Sequence, residues 1–194
     1  MIAVIDYDTG NLRSVANALK RLGAEFCVTD DPQKIAAASK VLLPGVGEAQ
    51  SAMCKLSERS LVEVIKSLQQ PTLGICIGVQ LMCQYSEEGD TECMGIFDSS
   101  VRRFPSDSGL KVPHMGWNSI EQLTGPLFEG IDQGSYIYYV HSYAPELSSQ
   151  TIATTNYGLD FSAALCRDNF YGTQFHPEKS GEIGEKILSN FLKL

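Results

Sequence analysis

The run Thr72 to Gln80 restricts the fold of this 194-residue chain more than any other part of it. An apolar segment, Thr72 to Ile75, meets Gly74-x-Cys76-x-Gly78 and passes at once into a helical segment. Glycines flanking the central residue let the chain turn sharply from strand to helix while the backbone approaches its neighbours closely. The side chain of Cys76 then projects above the sheet edge. It also lies at a helix N-terminus, where unpaired N–H groups and the helix dipole stabilise a thiolate and can hold an oxyanion. The bland alternative is a buried cysteine in a glycine-flanked core strand.

The rest of the chain reads as the framework such an elbow needs. Ile2 to Ile5 forms a first strand, and Asn11 to Leu22 carries Leu12, Val15, Leu19 and Leu22 at helical spacing before Gly23 stops it. Glu25 to Thr29 is a second strand, followed by an Asp-Asp-Pro turn at 30–32 and a short Ala-rich helix. Lys40 to Leu43 is a third strand, a helix carries Leu61, Val64, Ile65 and Leu68 on one face, and Thr72 to Ile75 is the fourth strand. Strands alternating with helices predict a parallel sheet with helical crossovers. After residue 90, runs at 135–140, 151–155, 162–166 and 171–175 extend the sheet into a mixed one, and a helix from about 182 to 192 packs on it through Ile183, Ile187, Leu188 and Phe191. The expected fold class is α/β, an open, mostly parallel but mixed sheet flanked by helices, and the expected organisation is one domain over residues 1–194.

Composition narrows the function. Fifteen Lys plus Arg against 23 Asp plus Glu give a net charge of −8, which argues against a nucleic-acid partner because phosphate binding needs clustered positive charge. No apolar stretch approaches the roughly 20 residues of a membrane span, and the opening residues read as a strand and not a leader, so a cytoplasmic protein is expected. The six cysteines form no CxxC pair, so neither zinc spacing nor a disulfide framework is expected.

Two further motifs complete a chemical reading. In Gln174-Phe175-His176-Pro177-Glu178, Pro177 biases His176 toward an extended backbone, which would point His176 and Glu178 to one side and let the carboxylate orient the imidazole. The third strand runs into Gly45-Val46-Gly47, a loop expected beside Cys76 and able to supply N–H groups to an oxyanion. Cys76, His176 and Glu178 thus form a candidate nucleophile, base and orienting carboxylate. His114, between Pro113 and Met115 in an expected loop, reads as a structural hydrogen-bonding residue.

These motifs, in this order, resemble the class I, triad-type glutamine amidotransferases over essentially the whole chain. Gly74 to Gly78 with Gln80, Pro44 to Gly47 and His176 to Glu178 carry the likeness. Within the family, residues 6–14, 113–118, 139–143 and 176–180 are similar to glutaminase subunits that feed ammonia to a separate (βα)8-barrel cyclase of histidine biosynthesis. The resemblance implies glutamine as substrate, a heterodimer with the cyclase, and no metal or organic cofactor. It further implies that Gly45, Val46, Gly47, Ile77, Gln80, His141, Ser142 and Tyr143 bind substrate. Asn11, Trp117, Tyr138 and Lys179 are implied to lie at the partner interface. Ile77 stands where the family usually has Leu, and Asp8-Thr9 precede Gly10-Asn11 in place of Gly-Met. Three readings stay beside this one: a paralogous amidotransferase serving another synthase, a free-standing cysteine hydrolase, and a silent scaffold that keeps the fold to bind a barrel.

Overall fold

A computed structural model describes residues 1–8, 11–105 and 109–194; Thr9 and Gly10, singled out above, lie outside the described residues. The first part of the chain alternates as the sequence predicts: β1 (Ile2–Ile5), α1 (Leu12–Arg21), β2 (Phe26–Thr29), α2 (Pro32–Ala37), β3 (Lys40–Leu43), α3 (Ala49–Glu58), α4 (Leu61–Lys66), β4 (Thr72–Ile75) and α5 (Ile77–Met82). Later come β5 (Tyr85–Ser86), β6 (Thr91–Glu92), β7 (Ser100–Arg103), β8 (His114–Ser119), β9 (Tyr136–His141) and β10 (Tyr143–Pro145). β11 (Thr151–Asn156), β12 (Asp160–Arg167), β13 (Phe170–Thr173) and α6 (Gly181–Lys193) close the chain.

The main sheet has the order β11-β12-β13-β4-β3-β1-β2. β13, β4, β3, β1 and β2 run parallel, and β12 and β11 are antiparallel additions at one edge. Parallel strands covered on both faces must be apolar throughout, and β1 shows why. Ile2 and Val4 enter a core with Val15 and Leu19 of α1 and Ile187 and Phe191 of α6, whereas Ala3 and Ile5 enter the opposite core with Ile35, Leu56, Ile65 and Val79. Alternate side chains of one strand therefore serve two layers of helices.

Three details depart from the expectation. Helix α3 has no counterpart among the predicted elements: Ala49, Ala52 and Leu56 form its buried stripe at helical spacing, but only one of the three is large. Glu88 Oε2 accepts from Ala49 N at 2.9 Å at its start. His114 begins a strand instead of lying in a loop: β8 and β9 form a two-stranded ribbon in which His114 pairs with His141 and Trp117 with Tyr138. A second small sheet, β10-β7-β5-β6, closes over the helix α5 side of the elbow.

Candidate active site

The turn at Cys76 has the predicted form. Cys76 has φ 55 and ψ −110 between β4 and α5, a positive-φ backbone that a non-glycine residue holds only when its surroundings enforce it. Cys76 N–H donates to Thr173 O at 2.8 Å, and its carbonyl accepts from Val79 N at 3.1 Å, so both sides of the turn are fixed. The flanking glycines act through space. A Cβ on Gly74 would lie 2.7 Å from the Gly78 carbonyl carbon, and one on Gly78 would overlap the Leu43 carbonyl of β3. The strained residue is the cysteine itself.

β13 brings the second motif alongside, because it pairs with β4 from Phe170–Thr72 to Thr173–Ile75. His176 and Glu178 come together, though not through an extended chain. His176 is extended, but Pro177–Lys179 forms a 3-10 turn that folds the carboxylate back, and His176 Nδ1 donates to Glu178 Oε1 at 2.8 Å. Asn11 Nδ2 donates to the same oxygen at 2.6 Å. Ser180 locks the turn by donating to His176 O at 2.6 Å and accepting from Tyr138 N at 2.9 Å, while His176 N donates to Tyr138 O at 3.0 Å. α6 presses close behind, where a Cβ on Gly184 would overlap the Pro177 carbonyl.

Charge within this buried group is asymmetric. Burial alone would strip His176 of its proton, but the neighbouring Cys76 sulfur and the Glu178 carboxylate outweigh it and raise its pKa to about 10. Among the described residues His176 Nε2 has no hydrogen-bond partner of ordinary geometry, so this nitrogen is the one left for chemistry at Cys76. The sulfur also lies 3.8 Å from Gln174 Nε2 and 4.0 Å from Val140 O.

These groups open on a cavity of about 350 Å³, at the small end of the range for ligand sites. Cys76, His176, Val46, Gly47, Ile77, Gln80, His141, Ser142 and Tyr143 all line it. Gly45 does not: it backs the loop against Tyr7, whose hydroxyl a Cβ there would strike. Both ring nitrogens of His141 are engaged inside the protein, Nδ1 with Tyr143 O at 2.8 Å and Nε2 with His114 Nδ1 at 2.9 Å. Burial holds His141 down to about 3 and His114 to about 4, so both rings are neutral. Two groups in or beside the site are not legible in the sequence. Glu88 lines the cavity with a carboxyl pushed up by burial, and nothing local in Glu87-Glu88-Gly89 marks it as a ligand group. Gln174 stands in the histidine motif with no local signal that its side chain meets the sulfur.

The residues expected at a partner interface divide. Trp117 and Tyr138 meet edge to face at 6.0 Å and Lys179 Nζ lies 5.9 Å over the Tyr138 ring, forming one patch. Trp117 is 55% exposed, and its neighbours Met115 and Tyr136 are 61% and 62% exposed, a concentration of apolar surface on one ribbon. Asn11 instead turns its amide inward to Glu178. Among the described residues no cluster of three or more His, Cys, Asp or Glu is arranged to hold a metal ion, and no helix is long and apolar enough to cross a membrane.

Known proteins are similar to this chain over its whole length. The family model described as glutamine amidotransferase class-I matches residues 3–194. A protein of Bacteroides fragilis named imidazole glycerol phosphate synthase subunit HisH is 56% identical over 194 residues, covering 100% of this chain and 99% of that protein. A Haemophilus influenzae protein of the same name is 48% identical over 193 residues, covering 99% and 96%. Among solved structures, a glutamine amidotransferase of Thermotoga maritima superposes with a TM-score of 0.65 at 18% identity, covering 99% of this chain and 82% of that one, a likeness of fold.

Proposed function

This chain belongs to the class-I glutamine amidotransferase family, and from that premise we infer that it is the glutaminase subunit of an imidazole glycerol phosphate synthase. It hydrolyses glutamine to glutamate and ammonia, and it serves histidine biosynthesis with a (βα)8-barrel cyclase as the partner in a heterodimer. The cyclase uses the ammonia to make imidazole glycerol phosphate and aminoimidazole carboxamide ribotide. The protein acts in the cytoplasm. The observation that carries the chemical reading is the strained Cys76 beside a His176 whose other nitrogen is bound to Glu178 at 2.8 Å, at the floor of a small cavity.

The Cys76 thiolate attacks the carboxamide carbon, and the His176 imidazolium gives its Nε2 proton to the departing ammonia. Glu178 holds the Nδ1 proton and thereby the tautomer. The first N–H groups of a helix lack intrahelical acceptors, so Ile77 N–H faces the tetrahedral oxyanion, with the Val46-Gly47 loop as the second source. Each such donor is worth roughly 3 kcal/mol in comparable acyl-transfer sites. Water, deprotonated by His176, then cleaves the thioester and frees glutamate. At the far end, the Glu88 carboxylate receives the α-ammonium group, and Gln80 and the His141 to Tyr143 segment shape the remaining wall.

The patch of Trp117, Tyr138 and Lys179, extended by Met115 and Tyr136, is the docking face for the barrel. Asn11 is bonded directly to the triad carboxylate. The deciding experiment is glutamate release from glutamine by the chain alone, with the cyclase, and with cyclase plus its nucleotide, using Cys76→Ala as the control. A large rise with both additions, lost in the variant, supports the reading. Full activity without the partner would favour a free-standing hydrolase.

A further inference from the structure

We propose that Gln174 is a further catalytic residue, whose side-chain N–H donates to the Cys76 sulfur and stabilises its thiolate. The assignment rests on Cys76 being the nucleophile. Gln174 is completely buried, and its backbone N–H is tied to Ala163 O at 2.9 Å, so the side chain has little freedom. Its amide nitrogen meets Cys76 Sγ at 3.8 Å. A buried NH₂ group without an acceptor is costly, and here the sulfur is the atom that satisfies it.

Carboxamide orientation is ordinarily ambiguous, because oxygen and nitrogen can exchange places. At this site a chain of obligatory donors and acceptors fixes it. Tyr143 O only accepts; it takes one bond from Gln80 Nε2 at 3.0 Å and one from His141 Nδ1 at 2.8 Å. Gln80 must therefore present its nitrogen on that side, and the same nitrogen spends its second hydrogen on Gln174 Oε1 at 2.9 Å. A flipped Gln174 would set two NH₂ groups against each other, so its nitrogen points to Cys76.

The lock extends further back. Because His141 Nδ1 carries hydrogen and its ring is neutral, Nε2 is an acceptor, satisfied by His114 Nδ1–H at 2.9 Å. His114 Nε2 is then an acceptor for Asn118 Nδ2 at 3.3 Å. A continuous series of bonds, converging on Tyr143 O and starting again from the Gln80 amide, thus links Asn118, next to the exposed Trp117, to the nucleophile. Gln174 acts twice in the reaction: on the thiolate before attack, and on the sulfur that leaves when water cleaves the thioester. No bond to Gln174 forms or breaks in either step.

The test is the pH dependence of iodoacetamide alkylation at Cys76 in the full-length chain, followed on the Cys76 peptide by mass spectrometry. Gln174→Met keeps the volume and removes the donor; Gln174→Glu removes the donor and adds a negative charge. The midpoint is expected to rise by about one pH unit in the Met variant, slowing alkylation about ten-fold at pH values below the native midpoint, and to rise further in the Glu variant. Both midpoints unchanged, with only stability or overall activity reduced, would make Gln174 a packing residue and overturn the assignment. Should neither variant fold, the side-chain NH₂ signals of Gln174 in the ¹⁵N-labelled native chain decide: they must shift as Cys76 titrates, and signals that stay fixed would sink the idea. A native thiol inert to the reagent would remove the nucleophile reading and this one together, whereas a reactive native thiol with unmoved variants would remove this one alone.

Discussion

Two histidine environments lie at the cavity, and burial, which pushes every imidazole toward neutrality, is overcome in only one of them. His176 is surrounded by a carboxylate and a sulfur, and it is driven toward the imidazolium. The His114–His141 pair is packed among aromatic rings, with His114 stacked on Tyr157 at 3.9 Å and on Tyr139 at 4.8 Å, and it is driven toward neutrality. Depth alone does not decide the charge of a buried imidazole. What decides it is whether the ring's partners include anions or are all neutral groups.

The most severe way to break this contrast is to remove the anion. Glu178→Gln keeps the shape but loses the charge and the tautomer control, and glutaminase turnover in the complex is expected to fall about 10³- to 10⁴-fold, measured as glutamate release at saturating glutamine. A KM within a few-fold of native would accompany it, because the carboxylate does not touch the substrate.

Acid separates the two environments next. An unfolded chain protonates its histidines near 6.5, while the folded pair takes protons only near 4 and 3, so below pH 6.5 the unfolded state binds more protons. Stability contributed by the pair is complete above that value and is lost on acidification, by about 1–2 kcal/mol per ring between pH 7 and 5. His176 has the opposite sign. Its folded value near 10 exceeds 6.5, so its contribution is complete below pH 6.5 and is lost as pH rises through 10. Urea unfolding across pH 4 to 10 should show both limbs, and an acid limb that is flat down to pH 4 would contradict the neutral pair.

His114→Phe sharpens the comparison with a smaller effect. The ring still stacks, but His141 Nε2 loses its donor, at an expected cost of about 1–3 kcal/mol in unfolding free energy, with a shallower acid limb. Asn11→Ala, removing one of two bonds to Glu178 Oε1, is expected to lower turnover about ten-fold with KM nearly constant. Asn11→Asp should be worse than Ala, because it sets carboxylate against carboxylate; equal activity in the two would separate Asn11 from the triad.

The reach of the sequence differs between these environments for a physical reason. The elbow is local: Gly74, Cys76 and Gly78 are close in the chain, and the packing that requires glycine acts across the turn for Gly74 and against the adjacent strand β3 for Gly78. The strand pattern is equally readable, because a strand buried on both faces must be apolar at every position. His176 and Glu178 pair through proximity in sequence, yet the 3-10 turn that joins them is not foreseeable, since Pro177 starts such a turn as readily as it extends the residue before it. The His114–His141 contact spans 27 positions, and Gln174 with Cys76 spans 98. Such pairs have no periodicity to read; they exist because β8 pairs with β9 and β13 with β4. Helix α3 escapes prediction for a gentler cause, a buried stripe made largely of alanine.

The insertion of β13 between β4 and β12 has a consequence for how the protein is made. During synthesis from the N-terminus, the strand that carries Cys76 is the rim of a four-stranded parallel sheet until residues 170–173 leave the ribosome. For that interval the apolar Thr72–Ile75 rim offers unpaired backbone to any passing strand, while the thiol lacks the base that would make it an enzyme. A ribosome stalled before β13 would hold an aggregation hazard without hydrolytic activity, and emergence of residues 170–178 would end both conditions together.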